Sequence, residues 1–147
     1  MKIREIAFGS SEHARTIALR SRILREPLGL RFTPEELALE HADVHLGAFE
    51  SQGGGESLVG CLVLVRLTPK TAKMRQVAVE PTLQRSGIGR SLVAECERAA
   101  RKRGYERIEL HARDTAVAFY LALGYRADGP EFTELGIAHQ KLVKDLD

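Results

Sequence analysis

The 147-residue sequence is poor in cysteine: Cys61 and Cys96 are its only two, and neither lies in a CxxC pair. That excludes a disulfide framework or a zinc ribbon and makes a reducing cytoplasm the expected compartment. Long apolar runs are also missing. The longest, Leu58 to Val65, contains Gly60 and is far short of the roughly 20 residues a membrane helix needs. From Lys2 to Phe8 charged and apolar residues alternate, which is not the pattern of a signal peptide. No excess of one charge exists, since 22 Lys and Arg face 20 Asp and Glu for a net +2. A dedicated nucleic-acid binder would show a domain-wide basic surplus. The G-x-S-x-G elbow of serine hydrolases and the HExxH zinc motif are absent. His41 and His45 stand four apart, but their segment reads as a helix end running into a strand. That separates the rings, so no metal is expected.

What remains is ordinary globular chemistry. With 44% hydrophobic and 29% charged residues, the chain suits one domain with a sizeable core over residues 1–147. Ile3–Phe8 reads as a strand, and Ser10-Ser11 as the cap of a helix that Pro27 and Gly29 end. Thr33-Pro34-Glu35-Glu36 combines a capping box with Pro at the first helical position. Val44–Phe49 predicts a strand and Ser51–Gly55 a flexible turn. Leu58–Leu67 predicts a central strand, and Lys73–Val79 another. Gly87 to Arg103 predicts an amphipathic helix capped by Gly104. Arg107–Ala112 follows as a strand, Thr115–Leu123 as a helix ended by Gly124, and Leu135–Val143 as a last strand. The order predicts a three-layer α/β/α sandwich around a mixed, mostly antiparallel sheet, with one right-handed parallel crossover. Both cysteines fall on apolar faces and predict buried thiols.

The most informative stretch is Val77-Ala78-Val79-Glu80-Pro81-Thr82-Leu83-Gln84-Arg85-Ser86-Gly87-Ile88-Gly89-Arg90. A strand ends, a loop turns, and two glycines stand where a helix begins. Unpaired N–H groups and the helix dipole favour an anion there, and glycine lets it approach. Arg85 and Arg90 add fork-shaped cations suited to phosphate. Competing phosphate motifs fit less well. A P-loop needs Gly-Lys-Ser/Thr, but Gly89 precedes Arg90-Ser91. A dinucleotide fingerprint needs a third small residue, where Leu92 stands, although Glu109 lies twenty residues after Gly89. Pyrophosphate is the expected anion.

Gln84-Arg85-Ser86-Gly87-Ile88-Gly89 resembles the Gln/Arg-x-x-Gly-x-Gly/Ala signature of the GNAT N-acetyltransferases, which bind acetyl-CoA. Val77-Ala78-Val79-Glu80-Pro81 is similar to that family's approach to the loop. Ala116-Val117-Ala118-Phe119-Tyr120-Leu121-Ala122-Leu123-Gly124-Tyr125 resembles its second segment, and Glu131 to His139 is similar to a branch of small members. The resemblance covers nearly the whole chain. It implies direct acetyl transfer from acetyl-CoA to a primary amine. N–H groups from Arg85 to Arg90 would cradle the pyrophosphate. The backbone of Val77, Ala78 and Val79 would pair with pantetheine, and one N–H there would polarise the acetyl carbonyl. The strands starting near Met74 and Arg107 would have to splay. Tyr120 would be the general acid. Glu134, His139 and His111 are all candidates for the base, as is an unnamed group. Arg113 stands where many relatives carry Asn or Gln, so it could contact phosphate or point away.

Two rival readings stay open: a non-catalytic acyl-CoA-binding module and a nucleotide-binding domain. The acceptor is not legible. Arg20, Arg22 and Arg25 lie in a region that lines the acceptor groove in the family; they would suit an acidic acceptor or form a solvated helix face. Small relatives often pair, so a homodimer is compatible with the sequence. Arg66 to Arg103 holds ten basic and three acidic residues, a local surplus that suits one polyanionic cofactor better than nucleic acid.

Overall fold

The computed structural model describes residues 1–147. Strand β1 (Lys2–Ile6) stops short of the expected Phe8. The chain turns there because Ser10 donates its hydroxyl to the Ala7 carbonyl at 2.6 Å and accepts from the His13 N–H at 3.1 Å. Ser10 thereby caps helix α1 (Ser11–Arg20), which continues through a π-turn at Ser21–Arg25 to Gly29 at φ +70°. Helix α2 (Pro34–Ala38) starts on the expected capping box between Thr33 and Glu36.

Strands β2 (Val44–Gln52) and β3 (Gly55–Arg66) form a longer hairpin than the sequence suggests. The expected flexible turn contracts to Gly53 and Gly54, at φ +50° and +88°, because pairing continues to Gln52 opposite Gly55. Positive φ at both central residues matches the twist of a two-residue hairpin. Strand β4 (Thr71–Val79) leads through the loop to helix α3 (Ile88–Lys102). Strand β5 (Arg107–Arg113), helix α4 (Val117–Ala122) and the short strand β6 (Arg126–Ala127) follow.

The last segment departs from expectation. Leu135–Val143 is not one strand. Leu135 and Gly136, at φ +54° and +74°, form the turn between β7 (Phe132–Glu134) and β8 (Ile137–Asp145). Here too the Leu-Gly pair needs positive φ at both positions, and Glu134 pairs with Ile137 across the turn.

The sheet has eight strands in the order β1-β2-β3-β4-β5-β8-β6, with β7 on β8. Only β4 and β5 run parallel; the remaining pairs are antiparallel. The expected mixed α/β sandwich is therefore present. On one face α3 buries Ile88, Leu92, Val93, Cys96 and Ala100 against Leu62, Leu64, Met74, Ile108 and Leu110. On the other, Leu19 of α1 packs on Cys61 and Ala78. Both cysteines are buried.

One irregularity in β4 shapes the middle of the sheet. Cys61 pairs with Ala78 and Val63 with Arg75, so β4 holds one extra residue, and Gln76 takes φ +57°. An extra residue reverses the side-chain alternation beyond it. Ala72 and Met74 point to the α3 face before the bulge, Val77 and Val79 after it, while Ala78 turns to the α1 face. The same bend steers β4 away from β5. Their pairing ends at Lys73 opposite Glu109, although β4 continues to Val79 and β5 to Arg113. The strands splay as the resemblance requires.

Candidate functional site

The gap between the splayed strands is a cleft of about 380 Å³, within the range of small-molecule sites. Its walls come from β4, β5, the β7–β8 turn, α4 and the π-turn after α1. Alternation along the strands sorts these residues onto two faces. Ile108, Leu110, Ala112 and Leu142 point into the core under α3, as does Tyr120 of α4. Lys73, Arg75, His111, Arg113 and His139 take the alternate positions and face the α1 side.

The loop lies where β4 ends. Gly60 of β3, opposite Val79, lets the first turn of α3 sit close, since a Cβ there would come within 2.9 Å of Leu92 Cδ1. The side chain of Ile88 is buried in that contact. Gly87 occupies the N-cap at φ +91°, ψ 1°, and Arg85 also has positive φ at +71°. Arg85, Ser86, Gly87 and Arg90 are exposed. No side chain caps the helix, so the open first-turn N–H groups face outward, as an anion needs. Two expected donors are engaged within the loop: the Ser86 N–H and hydroxyl both donate to the Leu83 carbonyl. The Gln84 amide donates to the Val79 carbonyl at 3.3 Å. Ala78 faces away from the cleft, whereas Val77 lines it.

Tyr120 is buried, with its ring edge-on to Tyr125 at 5.8 Å. Burial holds its hydroxyl well above the ordinary value of 10.0, so the phenol keeps its proton across the neutral range. Tyr125, by contrast, gives its hydroxyl to the buried Glu97 at 2.9 Å, and Glu97 in turn takes Lys144 at 3.1 Å. That network belongs to the core.

The three candidate bases, scattered in sequence, converge. The β7–β8 turn brings Glu134 Oε1 to 3.0 Å from His111 Nδ1 and Oε2 to 3.7 Å from His139 Nε2. His139 Nδ1 lies 2.8 Å from the Ile137 carbonyl, which places a proton on Nδ1 and leaves Nε2 as the atom nearest Glu134. Phe132 fills the corner, edge-on to His111 at 4.9 Å and stacked on His139 at 5.9 Å. Partial burial alone would push the Glu134 carboxyl up, but His111, His139 and Lys73 outweigh it and hold it below its ordinary 4.5. Lys73, whose Nζ lies 3.3 Å from His111 Nδ1, is itself lowered by burial and by Arg75. Sequence reasoning did not select Lys73 or Arg75. Alternation in β4, read with the bulge, is the signal that places them.

Arg113 donates to the Leu24 carbonyl at 3.2 Å, so it points to the α1 side rather than toward the loop. The basic trio ahead of Pro27 divides. Arg20 is fully buried and grips both oxygens of Glu40 at 2.8 and 2.9 Å. Arg22 pairs with Glu80 at the surface, and Arg25 lines the cleft.

His41 stays apart from His45, as expected, but His45 meets His13 and Glu40 in a group whose donor atoms lie within 4.8 Å. Only part of the set is engaged: His13 Nε2 and His45 Nδ1 are buried without a hydrogen-bond partner. The Gly9 N–H donates to His13 Nδ1 at 3.1 Å, which puts the proton of the neutral ring on Nε2, and Arg20 occupies the Glu40 carboxylate. Burial pushes the Cys61 and Cys96 thiols up to about 12, so neither supplies a thiolate nucleophile.

No helix is long and apolar enough to cross a membrane. The chain is similar to the uncharacterized protein YyaT of Bacillus subtilis (strain 168), at 30% identity over 81 residues, covering 55% of each chain. It thus spans about half the length of the curated relatives it matches. Its fold is similar to a GNAT-family acetyltransferase from Staphylococcus aureus Mu50, with TM-score 0.76, 18% identity and coverage of 99% of this chain and 100% of that one. It is also similar to a GNAT-family acetyltransferase from Elizabethkingia anophelis with acetyl-CoA bound, with TM-score 0.73, 16% identity and coverage of 99% and 97%. Residues 35–146 match the family model described as acetyltransferase (GNAT) domain. The chain therefore belongs to the GNAT acetyltransferase domain family.

Proposed function

We propose that the protein is an acetyl-CoA-dependent N-acetyltransferase that transfers the acetyl group directly to a primary amine. The observation that carries this reading is the opening through the sheet, with a protonated phenol on one face and a carboxylate-imidazole cluster on the other. The residues fit the co-substrate. An anion cradle stands at the start of α3, and β4 beyond Lys73 has β3 on one side and no strand on the other. Gly87 and the N–H groups of Ile88, Gly89 and Arg90 would hold the pyrophosphate, with Arg85 and Arg90 supplying charge. Val77 and Val79 would offer backbone groups to the pantetheine arm, and Gln84 would release the Val79 carbonyl.

Acetyl-CoA supplies an activated thioester. The chain's part is to orient it and to move two protons. Glu134, kept ionised and held by His111, accepts a proton from the incoming ammonium or amine, directly or through the neighbouring His139 Nε2. A backbone N–H at the β4 bulge stabilises negative charge developing on the carbonyl oxygen. Tyr120 donates its hydroxyl proton to the departing sulfur. With both thiols buried and protonated, no covalent acyl-enzyme is needed.

The test is thiol release from acetyl-CoA across a panel of primary amines, alongside thermal shifts with acetyl-CoA, CoA, NAD and ATP. Amine-dependent release and stabilisation by CoA species are expected. Stabilisation by NAD or ATP but not CoA would overturn the reading.

A further inference from the structure

The α1 face of the cleft carries a cationic corner whose arginines hold no ion pair, although Glu36 acts on Arg25 from across the cleft. Arg25 Nη1 and Arg113 Nη2 both reach the Leu24 carbonyl, at 3.3 and 3.2 Å, so two guanidinium groups are drawn to one oxygen. Arg75 lines the same cleft from β4. None of the three takes part in an ion pair, whereas Arg4, Arg20, Arg22, Arg103, Arg107 and Arg126 each hold a carboxylate. Two acidic groups line the cleft. Glu134 is engaged by His111, and the exposed Glu36 accepts the Thr33 N–H at 3.2 Å. The arginines are placed by structure rather than by chance exposure. The π-turn after α1 swings Arg25 inward over the Phe32 ring at 4.6 Å. Alternation puts Arg75 and Arg113 on that face, and Arg113 stands opposite His139 in the β5–β8 register.

Like charges gathered in a partly enclosed cleft repel one another, and an anion between them would relieve this. The corner lies on the face opposite the core side that holds Tyr120, so it would not compete with the loop for phosphate. It does adjoin the Glu134 cluster, where the amine must lose its proton. We infer that the acceptor is a small amine that also carries a carboxylate, with Arg25, Arg75 and Arg113 binding the carboxylate while the amine lies toward Glu134. A carboxylate matches the planar fork of arginine, and two forks can bind it from two sides. This rests on the acetyltransferase reading and names the substrate class for the same site.

The experiment compares glycine, β-alanine and γ-aminobutyrate with their carboxamides as acceptors, by thiol release from acetyl-CoA. At least one acid should exceed its amide in kcat/KM by roughly ten- to a hundredfold, the scale of one or two charge-assisted contacts. Arg75→Gln and Arg113→Gln should pull that ratio toward one, chiefly through KM. Arg25→Lys, which keeps charge but loses the fork, should reduce it in part. Arg98→Gln, on the exposed side of α3, should leave it unchanged. Amides used as well as acids would overturn the inference while leaving acetyl transfer intact. Titration of N-acetylglycine against N-acetylglycinamide, on protein saturated with CoA, reads the carboxylate site without turnover. Preference for the acid there, with no thiol release from any amine, would sustain the anion site and sink the transferase. No preference in either assay would sink the inference.

Discussion

His111 Nδ1 and Glu134 Oε1 meet at 3.0 Å, although 23 residues separate them in the chain. The contact joins β5 to the β7–β8 turn at the open end of the sheet. It orients a carboxylate that stays partly open to solvent. Glu134→Gln removes the proton acceptor and should lower kcat by roughly a hundredfold or more. His111→Gln, which can still donate to Glu134, should cost less and move the acid limb of the pH–rate profile. Steady-state kinetics over pH checks both. Equal, small effects from the two variants would assign the proton transfer to His139 or to water.

Tyr120→Phe should cut turnover while acetyl-CoA affinity stays close to that of the unaltered protein. Because burial raises the phenol above its ordinary 10.0, ionisation of Tyr120 should produce no alkaline fall in rate up to about that pH. Single-turnover rates from neutral to alkaline pH, set beside titration calorimetry with acetyl-CoA, test this. An unchanged rate in Tyr120→Phe removes the residue from the acid role.

The buried Arg20–Glu40 pair is a stability element. Removing one partner leaves a charge without its counterion, so Glu40→Ala should destabilise by about 3–5 kcal/mol. Burial alone would raise the Glu40 carboxyl, but the hydrogen bonds and charge of Arg20 outweigh it and hold the group below 4.5. The depressed value means this contribution is full above the ordinary carboxylate range. It is lost as pH falls through the lower folded value. Urea unfolding from neutral pH to acid should show the loss, and Glu40→Gln should flatten that part of the curve.

Gly87 sits at φ +91° at the start of α3. With any Cβ the left-handed region costs roughly 1–2 kcal/mol. Gly87→Ala should lower the melting temperature modestly and weaken CoA binding, because the first-turn N–H groups shift as the strain is relieved. Calorimetric titration with CoA measures the second effect. Affinity unchanged beside a lowered melting temperature would place the pyrophosphate elsewhere.

Much of this was legible in the residues. Thr33 to Glu36 dictated the start of α2, and the strand, proline and glycines from Val77 to Gly89 marked an anion-ready helix start. Periodicity identified the buried face of α3. These are local properties, set by backbone preference and side-chain spacing. Three features escaped. The Leu135-Gly136 turn was hidden because it interrupts an otherwise apolar run, although an X-Gly pair between alternating segments was its signal. The bulge at Gln76 left no signature, since an extra residue in a strand is defined only by its partner. The choice among His111, Glu134 and His139 could not be made, because they do not compete: they form one cluster.

The sequence by itself determined the order of elements through α4, the glycine-bearing start of α3 and the resemblance to the family, because those depend on neighbours along the chain. Tertiary structure alone decided which charges meet and which face each side chain serves. Strand pairing and the one-residue slip in β4 bring distant segments into register, and no local preference encodes that register. The same folding consigned Arg20 to a buried pair and left Arg25, Arg75 and Arg113 around the cleft. A chain of near-balanced charge thereby acquires a cationic corner where an acidic amine could be held.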